Sequence, residues 1–477
     1  MTALTQNFIA ASPRGKSLNT PVASLLIHGF VLTLFVLLLA RAFGAPGLFS
    51  WGAGLAYVGY DTFLLGFTTW QTWRLTRPSM PLATPARPVS LGVIVAAHNE
   101  AAALPVTVAA LLRQTDRPDA ILIADDGSTD PTKAALAPLG LAEPPIGGMR
   151  ESASTPGLFW LRLPHGGKSV ALNAALTRLE TDVVVTVDAD TLLEPDAVAA
   201  MRAAFAAEPE LVAATGVLAP VCGNSLSGRL FQWFQTYEYI RNFLSRYAWM
   251  RADGLLLISG AFAGFRRDAV LAVGGFDNDC LVEDYELIHR LRRYGVQHGL
   301  VWRTWVLGNC RARTDAPATV PAFLRQRRRW FGGFLQTQFW YRDMVGNPEY
   351  GHLGTWMLPV KAADTLQPLY GLAAFALLLG FLARGQYAVL LPVGGVILAK
   401  IVVDLGFHLW SVHLYRRWTG DRATSHFGYA FAAAVLEPFS FQLLRHSGAA
   451  LGWVMFLTGQ RGWGRARGSG VKEAVLF

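Results

Sequence analysis

Apolar stretches long enough to cross a membrane lie near both ends of the chain. Residues 21–42 form the first run, and residues 48–73 form a second with aromatic residues at its ends. Crossing a bilayer takes about 20 apolar residues. The C-terminal part predicts three more spans, at 358–382, 387–408 and 426–443. Whatever lies between these blocks must therefore fold beside a membrane and in contact with membrane lipids.

The composition agrees with a membrane protein. Of the 477 residues, 52% are hydrophobic and 16% are charged, which is too apolar for an ordinary soluble chain. The net charge of +9 arises largely from cations beside the apolar runs. Such cations predict contact with lipid head groups and exclude a nucleic-acid partner as the main interpretation.

Cations next to the first two spans predict the orientation. Arg41 is the only cation between these spans, and the others lie outside them, at Arg14, Lys16, Arg74, Arg77 and Arg87. Positive flanks stay in the cytoplasm. We therefore expect a protein of the cytoplasmic (inner) membrane, with its N-terminus and the domain after the second span in the cytoplasm. Asp61, inside that span, is expected to face protein or water.

From about Pro88 the pattern changes to that of a soluble α/β domain. Apolar strands alternate with helices; four strands are predicted at 91–97, 120–124, 158–163 and 182–188, and a later one at 301–305. This alternation predicts right-handed βαβ units and a Rossmann-like, mostly parallel sheet. Neither GxGxxG nor GxxxxGK[ST] is present, which excludes dinucleotide-binding and P-loop classes. The three cysteines have no disulfide or zinc spacing.

Polar side chains follow three of the first four strands, at the point where each of the three ends. They are Asn99 and Glu100, Asp125 and Asp126, and Asp188 and Asp190. The carboxyl ends of parallel strands meet at the ligand-binding edge of an open sheet. Spacing i, i+2 places Asp188 and Asp190 on one side of an extended backbone, where two hard oxygen donors suit Mg²⁺ or Mn²⁺. The ordinary alternative is a solvated loop.

The second and third strands lead to a possible nucleotide site. Asp125 or Asp126 can accept a nucleobase N–H or ribose hydroxyls, although Asp126-Gly-Ser is also a good turn with a helix cap. Lys168 opens a helix after two glycines. There it can meet phosphate charge, helped by the helix N-terminus. The glycines alone would equally make a simple turn.

Two later motifs carry candidate catalytic residues. Glu283 and Asp284 sit at a predicted helix start, either because the helix dipole favours acids there or because one is a general base for an acceptor hydroxyl. Gln326, Arg329 and Trp330 share one helix face. The arginine can neutralise a leaving diphosphate and the tryptophan can stack under a sugar ring. A positive-inside flank is the alternative.

An aromatic amphipathic helix is predicted from Leu226 to Trp249. Its rings interleave with charged residues. Such a helix either lies at the membrane interface or packs in the domain near the acceptor site.

Six motifs in this order resemble those of the processive family 2 glycosyltransferases. They are His98-Asn-Glu, Asp125-Asp-Gly-Ser, Gly167-Lys168, Asp188-Ala-Asp, Glu283-Asp284 and Gln326-Arg-Arg-Arg-Trp330. That family includes poly-N-acetylglucosamine, chitin and hyaluronan synthases and the cellulose synthase catalytic subunit. The motifs cover about residues 88 to 340, and the flanking spans extend the likeness to nearly the whole chain. One departure is Val282 where the family commonly has threonine.

The resemblance implies an α/β GT-A fold, a UDP-sugar donor and inversion by direct displacement. By position, Asp125 and Asp126 correspond to a uridine-binding pair with Asn99 and Glu100 nearby, and Lys168 to a nucleotide contact. Asp188 would contact the donor and Asp190 the metal. Asp284 would be the base beside Glu283, and the donor diphosphate and acceptor sugar would be held by Gln326, Arg329 and Trp330. The family's spans form a channel for the polymer.

These observations divide the chain into six parts. We expect a loose N-terminal cytoplasmic tail to residue 20, two transmembrane helices over 21–75 and a GT-A domain over 88–320. The QxxRW segment and an interfacial helix occupy 321–345. About three transmembrane helices plus a re-entrant or interfacial piece, 451–457, fall within 355–460, before a basic tail over 461–477.

Three functions are open for a chain with this organisation. The leading hypothesis is an enzyme that adds a sugar, by expectation N-acetylglucosamine, to a growing β-linked polysaccharide and passes it across the membrane. A non-processive enzyme would instead add one sugar to a lipid. A non-catalytic scaffold of an export assembly is the third, but it predicts loss of Asp190, Asp284 or Trp330, and all three are present. Export or accessory proteins are expected partners of a synthase.

Overall fold

The structure, a computed structural model, describes residues 2–14, 20–77, 88–422 and 425–460. The predicted basic tail, together with Lys16 and Arg87, lies outside these ranges.

One sheet of nine strands organises the described part of the chain. The strands are β1 (Leu91–Ala97), β2 (Ala120–Asp126), β3 (Met149–Glu151), β4 (Leu158–Leu163), β5 (Val183–Asp188), β6 (Thr191–Leu193), β7 (Leu211–Val221), β8 (Phe262–Arg266) and β9 (Arg303–Asp315). Their order in the sheet is β3-β4-β2-β1-β5-β8-β7-β9-β6.

The half of the sheet that contains β4, β2, β1 and β5 is parallel, as predicted. Its strands are buried on both faces because their apolar residues run without alternation. The other half is mixed, since β8 runs antiparallel to both β5 and β7 while β9 runs parallel to β7. The mostly parallel α/β sheet confirms the predicted fold class.

Fifteen α-helices accompany the sheet in the described residues. Those before and within the sheet are α1 (Ala3–Ala11), α2 (Val22–Arg41), α3 (Gly52–Thr72), α4 (Leu104–Leu112), α5 (Thr132–Leu136), α6 (Lys168–Leu176), α7 (Ala197–Ala207), α8 (Leu226–Arg251), α9 (Arg267–Ala272) and α10 (Glu283–Gln297). Those after the sheet are α11 (Val320–Trp340), α12 (Leu358–Ala383), α13 (Tyr387–Thr419), α14 (Phe427–Leu436) and α15 (Phe441–Leu457).

The structure describes three helices that are long and apolar enough to cross a membrane. They are α2, Leu353–Ala383 (which includes α12), and α13. The predicted span at 426–443 and the short piece at 451–457 are instead parts of α14 and α15, which are bent by 50° and would count as one broken span or a re-entrant loop. Helix α3 matches the predicted second span in position but is not among the three, so its crossing stays a prediction.

We call the apolar helices α2, α3 and α12 to α15 the membrane half. The structure decides two expectations, one for Asp61 in this half and one for the N-terminal stretch. Asp61 of α3 lies 2.7 Å from the Lys400 ammonium of α13, which confirms that it faces protein. The N-terminal stretch, expected to be loose, forms α1. There Arg14 pairs with Asp277 at 2.6 Å, and the Arg290 guanidinium lies 4.5 Å from the Phe8 ring centre. The prediction of a loose tail is therefore wrong for Ala3–Ala11.

The aromatic helix α8 packs between the sheet and the membrane half. Phe231, Phe234, Tyr237 and Phe243 are buried in the main core, and α8 contacts β7 and β9 on one side and α3, α13 and α14 on the other. Of the two alternatives for this helix, the structure shows the packed one.

Candidate active site

The predicted site residues gather at one edge of the sheet. In the parallel register, Ala97 of β1 pairs with Asp125 of β2, and Ala96 pairs with Asp188 of β5. The polar residues that follow these strands therefore emerge side by side, as the sequence pattern predicted.

Asp126 holds the turn that precedes α6. Its carboxylate accepts hydrogen bonds from the backbone N–H groups of Gly166 at 2.7 Å and Gly167 at 3.0 Å, and from His165 Nδ1 at 2.9 Å. The Asp126 side chain is buried. This carboxylate thus serves the protein's own loop, and any contact with a nucleotide would have to share it.

Asp125 and Asn99 are used in the same way. Asp125 accepts from the Ser128 N–H at 2.9 Å and from Trp160 Nε1 at 3.3 Å. Asn99, with a φ of 58°, accepts from the Thr129 N–H at 2.7 Å. These bonds fix the loop after β2 before any ligand arrives.

The sequence pattern predicts no site role for His98 or His165. Their rings stack with centres 4.3 Å apart, and with Asp126 they offer ligand atoms within 4.8 Å of one another, enough to consider a metal ion. However, His98 Nε2 accepts from the Asn99 side-chain N–H at 3.1 Å, and His98 Nδ1 lies 2.7 Å from the Asp126 carbonyl oxygen. A neutral His98 that donates through Nδ1 explains both contacts without a metal.

Lys168 links Asp188 to Glu283, one of the two predicted catalytic residues. Its ammonium lies 2.5 Å from Asp188 and 3.6 Å from Glu283. Burial alone would lower the pKa of Lys168, but the carboxylates of Asp188, Glu283 and Asp284 raise it above the ordinary value. The lysine is therefore a fixed positive charge between β5 and α10.

Asp190 lies in a cluster of carboxylates. Burial raises the pKa of Asp190 well above its ordinary range, and the nearby charges of Asp188, Asp315 and Glu100 raise it further. Asp315 was missed, because the sequence predicted a strand only at 301–305, whereas β9 extends to Asp315. All four residues carry the hard oxygen donors that Mg²⁺ or Mn²⁺ prefers, but among the described residues the group whose ligand atoms lie within 4.8 Å of one another is His98, Asp126 and His165.

Asp284 is held at the start of α10 by two backbone groups. It accepts from the Gly260 N–H at 2.6 Å and the Tyr285 N–H at 2.8 Å. A Cβ on Gly260 would lie 2.9 Å from the Asp284 carboxylate, so any larger residue there would move the carboxylate. Neighbouring Glu283 is buried, and burial raises its pKa while the Lys168 ammonium opposes that rise.

The QxxRW residues of α11 face the same region. Arg329 donates to the Leu281 carbonyl oxygen at 3.0 Å, just before Glu283 and Asp284, and its charge acts on Glu283. The Gln326 side-chain oxygen is buried without a hydrogen-bond partner among the described residues. The Arg327 guanidinium lies 4.5 Å from the Trp330 ring centre and 2.7 Å from Glu238 of α8.

A cavity of about 290 Å³ opens beside these residues. We call it the junction cavity, because α8, α10 and α11 line one side and α3, α12 and α15 line the other. Its polar and aromatic lining includes Glu238, Asn242, Tyr285, Arg327, Trp330, Asp364 and Arg445. It therefore lies between α10, which begins with Glu283 and Asp284, and the helices of the membrane half.

Comparison with known proteins gives this geometry a context. Residues 183–400 match the model of glycosyl transferase family group 2. The match contains the Asp188 and Asp190 pair, Glu283 and Asp284, and the QxxRW residues, whereas Asn99, Glu100, Asp125, Asp126 and Lys168 precede it. The chain carries a family 2 glycosyltransferase domain.

Two curated relatives are each 27% identical to this glycosyltransferase. The poly-β-1,6-N-acetyl-D-glucosamine synthase of Staphylococcus aureus aligns over 244 residues, 50% of this chain and 53% of the relative. The β-monoglucosyldiacylglycerol synthase of Nostoc sp. aligns over 328 residues, 66% of this chain and 63% of the relative. The chain thus spans less than two thirds of the length of either relative.

A solved structure supports the fold. The mannosyltransferase PcManGT from Pyrobaculum calidifontis, determined in complex with GDP-Man and Mn²⁺, has a TM-score of 0.52 and 21% identity, and the match covers 87% of this chain and 99% of that one. At this identity the likeness shows the GT-A fold alone. The predicted fold and the predicted enzyme class are confirmed.

Proposed function

We propose that this glycosyltransferase is a membrane-embedded, inverting enzyme that extends a β-linked polysaccharide from a UDP-sugar donor. N-acetylglucosamine is the sugar we expect, in line with the relative from Staphylococcus aureus. The catalytic domain would lie in the cytoplasm, and the membrane half would carry the growing polymer outward.

The junction cavity is the observation that carries this proposal. It is lined by Tyr285, next to Asp284, and by Trp330, and its far wall is formed by apolar helices that include α12. An acceptor bound there would present one end to the proposed base and the other to the membrane half. Aromatic surface beside polar groups suits a sugar chain.

On the donor side, Asp125, Asp126 and Asn99 would shape the pocket for the nucleobase of the donor by holding the loops after β1 and β2. Glu100 would lie near them. Lys168 would meet donor phosphate at the N-terminus of α6 while it keeps Asp188 in place.

Asp190, with Asp188, would hold a divalent cation through the hard oxygen donors of the carboxylate cluster. A bound Mg²⁺ or Mn²⁺ would neutralise charge on the donor diphosphate. Arg329, whose charge acts on Glu283, would add a guanidinium on the diphosphate side.

In the transfer step Asp284 would take the proton of an acceptor hydroxyl. The hydroxyl oxygen would attack the anomeric carbon on the face opposite the diphosphate, and the bond from that carbon to the diphosphate oxygen would break. The two backbone N–H groups on Asp284 fix the direction from which it accepts the proton, so the base is pre-oriented. Glu283, beside Lys168, would keep the lysine charge in register with the donor.

Transfer of one sugar to a lipid is the second candidate function. The β-monoglucosyldiacylglycerol synthase aligns over more of this chain than the polymer synthase does. A diacylglycerol acceptor could enter the junction cavity from the membrane half and use the same base.

The test is transfer by the purified enzyme in detergent or nanodiscs. A panel of UDP- and GDP-sugars is supplied with Mg²⁺ or Mn²⁺, diphosphate release is measured, and products are sized by gel and mass spectrometry. The proposal predicts a ladder of long chains from one UDP-sugar. A single glycolipid would support the second candidate, and turnover with a GDP-sugar alone would contradict the donor assignment.

A further inference from the structure

Arg246 of α8 is a half-buried cation, and two of its buried donor atoms lack hydrogen bonds. Its Nε and Nη1 atoms are buried and have no hydrogen-bond partner among the described residues. The guanidinium lies 4.5 Å from the Phe243 ring centre, which covers one face but accepts no conventional hydrogen bond. Burying unpaired donors on a charged group is costly, so a folded chain that keeps this arginine there needs another reason for it.

The position of Arg246 points to the acceptor. Glu238, Asn242 and Arg246 follow one another at intervals of four residues and so lie along one side of α8. The first two line the junction cavity. Arg246 is not itself one of the residues that line the cavity, but it lies one helical turn beyond Asn242 on the same side of α8.

The charges around Arg246 locate it more closely. Burial lowers the pKa of Arg246 to about 10, and the charges of Asp284 and Tyr239 oppose that fall. Tyr239 in turn feels the charges of Arg327 and Glu238, which line the cavity. The Arg246 guanidinium is therefore within electrostatic reach of Asp284, the proposed base.

We propose that Arg246 is an acceptor-binding residue, whose guanidinium donates hydrogen bonds to oxygens of the acceptor's terminal sugar and turns its attacking hydroxyl toward Asp284. This assignment rests on the proposed function, because it takes Asp284 as the base and the junction cavity as the acceptor site. Charged donors to sugar oxygens are geometrically specific when the guanidinium is already held in place. Phe243 supplies that hold.

Arg246→Met tests the proposal, with Arg246→Lys as a variant that keeps the charge. Arg251→Met is the matched control, since Arg251 is on the same helix and exposed. Each variant is assayed as the full-length enzyme for melting temperature, UDP affinity, donor hydrolysis without acceptor, transfer to a short β-linked N-acetylglucosamine oligosaccharide, and direct binding of that oligosaccharide.

For Arg246→Met we expect kcat/KM for the oligosaccharide to fall about tenfold or more, the loss that one charged hydrogen bond gives. UDP affinity and donor hydrolysis should stay within about twofold of the wild type, and Arg251→Met should match the wild type throughout. The melting temperature of Arg246→Met should be equal or higher, because methionine of similar length removes buried donor atoms that lack hydrogen bonds. Arg246→Lys should be intermediate in transfer.

Three results would overturn the proposal. Unchanged transfer and binding would show that Arg246 does not contact the acceptor. A parallel fall in UDP affinity would place it on the donor diphosphate. A lower melting temperature together with equal losses in every assay would mark a structural role. If the wild type transfers nothing, the proposed function fails, but oligosaccharide binding still decides on Arg246, since only an acceptor contact makes Arg246→Met bind more weakly.

Discussion

The proposed donor side and the proposed acceptor side of this site differ in how completely their polar groups are paired. Asp125, Asp126 and Asn99 receive hydrogen bonds from the backbone and side chains of neighbouring loops. On the acceptor side, buried atoms of Gln326 and Arg246 have no partner among the described residues. A region whose polar groups are hydrogen-bonded within the protein is formed before its ligand binds. A region with unpaired buried polar atoms gains its missing hydrogen bonds from the ligand.

The largest effect should come from Asp284, where the two sides meet. Asp284→Asn keeps an oxygen for the Gly260 and Tyr285 N–H groups but removes the base. We expect transfer to fall by about 10²- to 10⁴-fold, with UDP affinity within about twofold of the wild type. Full turnover by this variant would show that another group takes the proton.

Substitution of Asp126 tests the donor side, whose polar groups are hydrogen-bonded within the protein. Asp126→Ala should remove the acceptor of the Gly166 and Gly167 N–H groups, which lie in an exposed to half-buried turn, so each lost hydrogen bond should cost on the order of 1 kcal/mol. We therefore expect a clearly lower melting temperature together with weaker UDP binding. Asp126→Asn retains an acceptor oxygen and is the matched control, with a smaller loss. If Asp126→Ala melts like the wild type, the donor side does not depend on this carboxylate.

How far the sequence could predict this contrast depends on the kind of signal. Apolar strands that each end in polar residues predicted the edge where Asn99, Asp125 and Asp188 emerge, because parallel register follows from strand alternation. The sequence could not predict that Asp126 is occupied by the Gly166–Gly167 turn, since that depends on the exact loop path. Asp315 joined the Asp190 cluster only through the unforeseen length of β9.

Packing against distant segments was also beyond the sequence. Residues 3–11 have no strong periodic signal, yet α1 forms because Phe8 and Arg14 find partners on α10 and at Asp277. In the sequence, Arg246 is only one of several charged residues on α8. Its importance comes from burial without a partner, which no spacing rule describes.

His289 also has a buried side-chain atom without a hydrogen-bond partner, but we propose no ligand for it. Its Nδ1 lies 2.9 Å from the Tyr285 carbonyl oxygen, and its buried Nε2 has no partner among the described residues. Burial lowers the pKa of His289 from 6.5 to about 4. The unfolded chain therefore binds a proton below about pH 6.5 that the folded chain refuses, so stability should be full above pH 6.5 and fall toward pH 4 by about 3 kcal/mol.

The measurement is the melting temperature of the detergent-solubilised enzyme between pH 4 and 7.5. His289→Phe removes the titrating group and should flatten this part of the curve, whereas oligosaccharide should not change it. Identical pH profiles for the variant and the wild type would contradict the burial of a neutral histidine.

Trp330 should give the smallest effect. Trp330→Ala removes one stacking surface from the junction cavity, which is worth about 1 kcal/mol. KM for an oligosaccharide acceptor should rise several-fold while KM for the donor stays constant, and Trp330→Phe should recover most of the loss. A change in donor KM alone would move Trp330 to the donor side.

The most direct test of the contrast between the two sides is a cryo-electron microscopy structure with UDP and a short N-acetylglucosamine oligosaccharide. We predict that Asp126 keeps its bonds to Gly166 and Gly167, and that the terminal sugar lies between Asp284 and Trp330 with hydrogen bonds to Arg246 and Gln326. A sugar bound elsewhere, with Arg246 and Gln326 still unpaired and the Asp126 loop rearranged around the nucleotide, would contradict it.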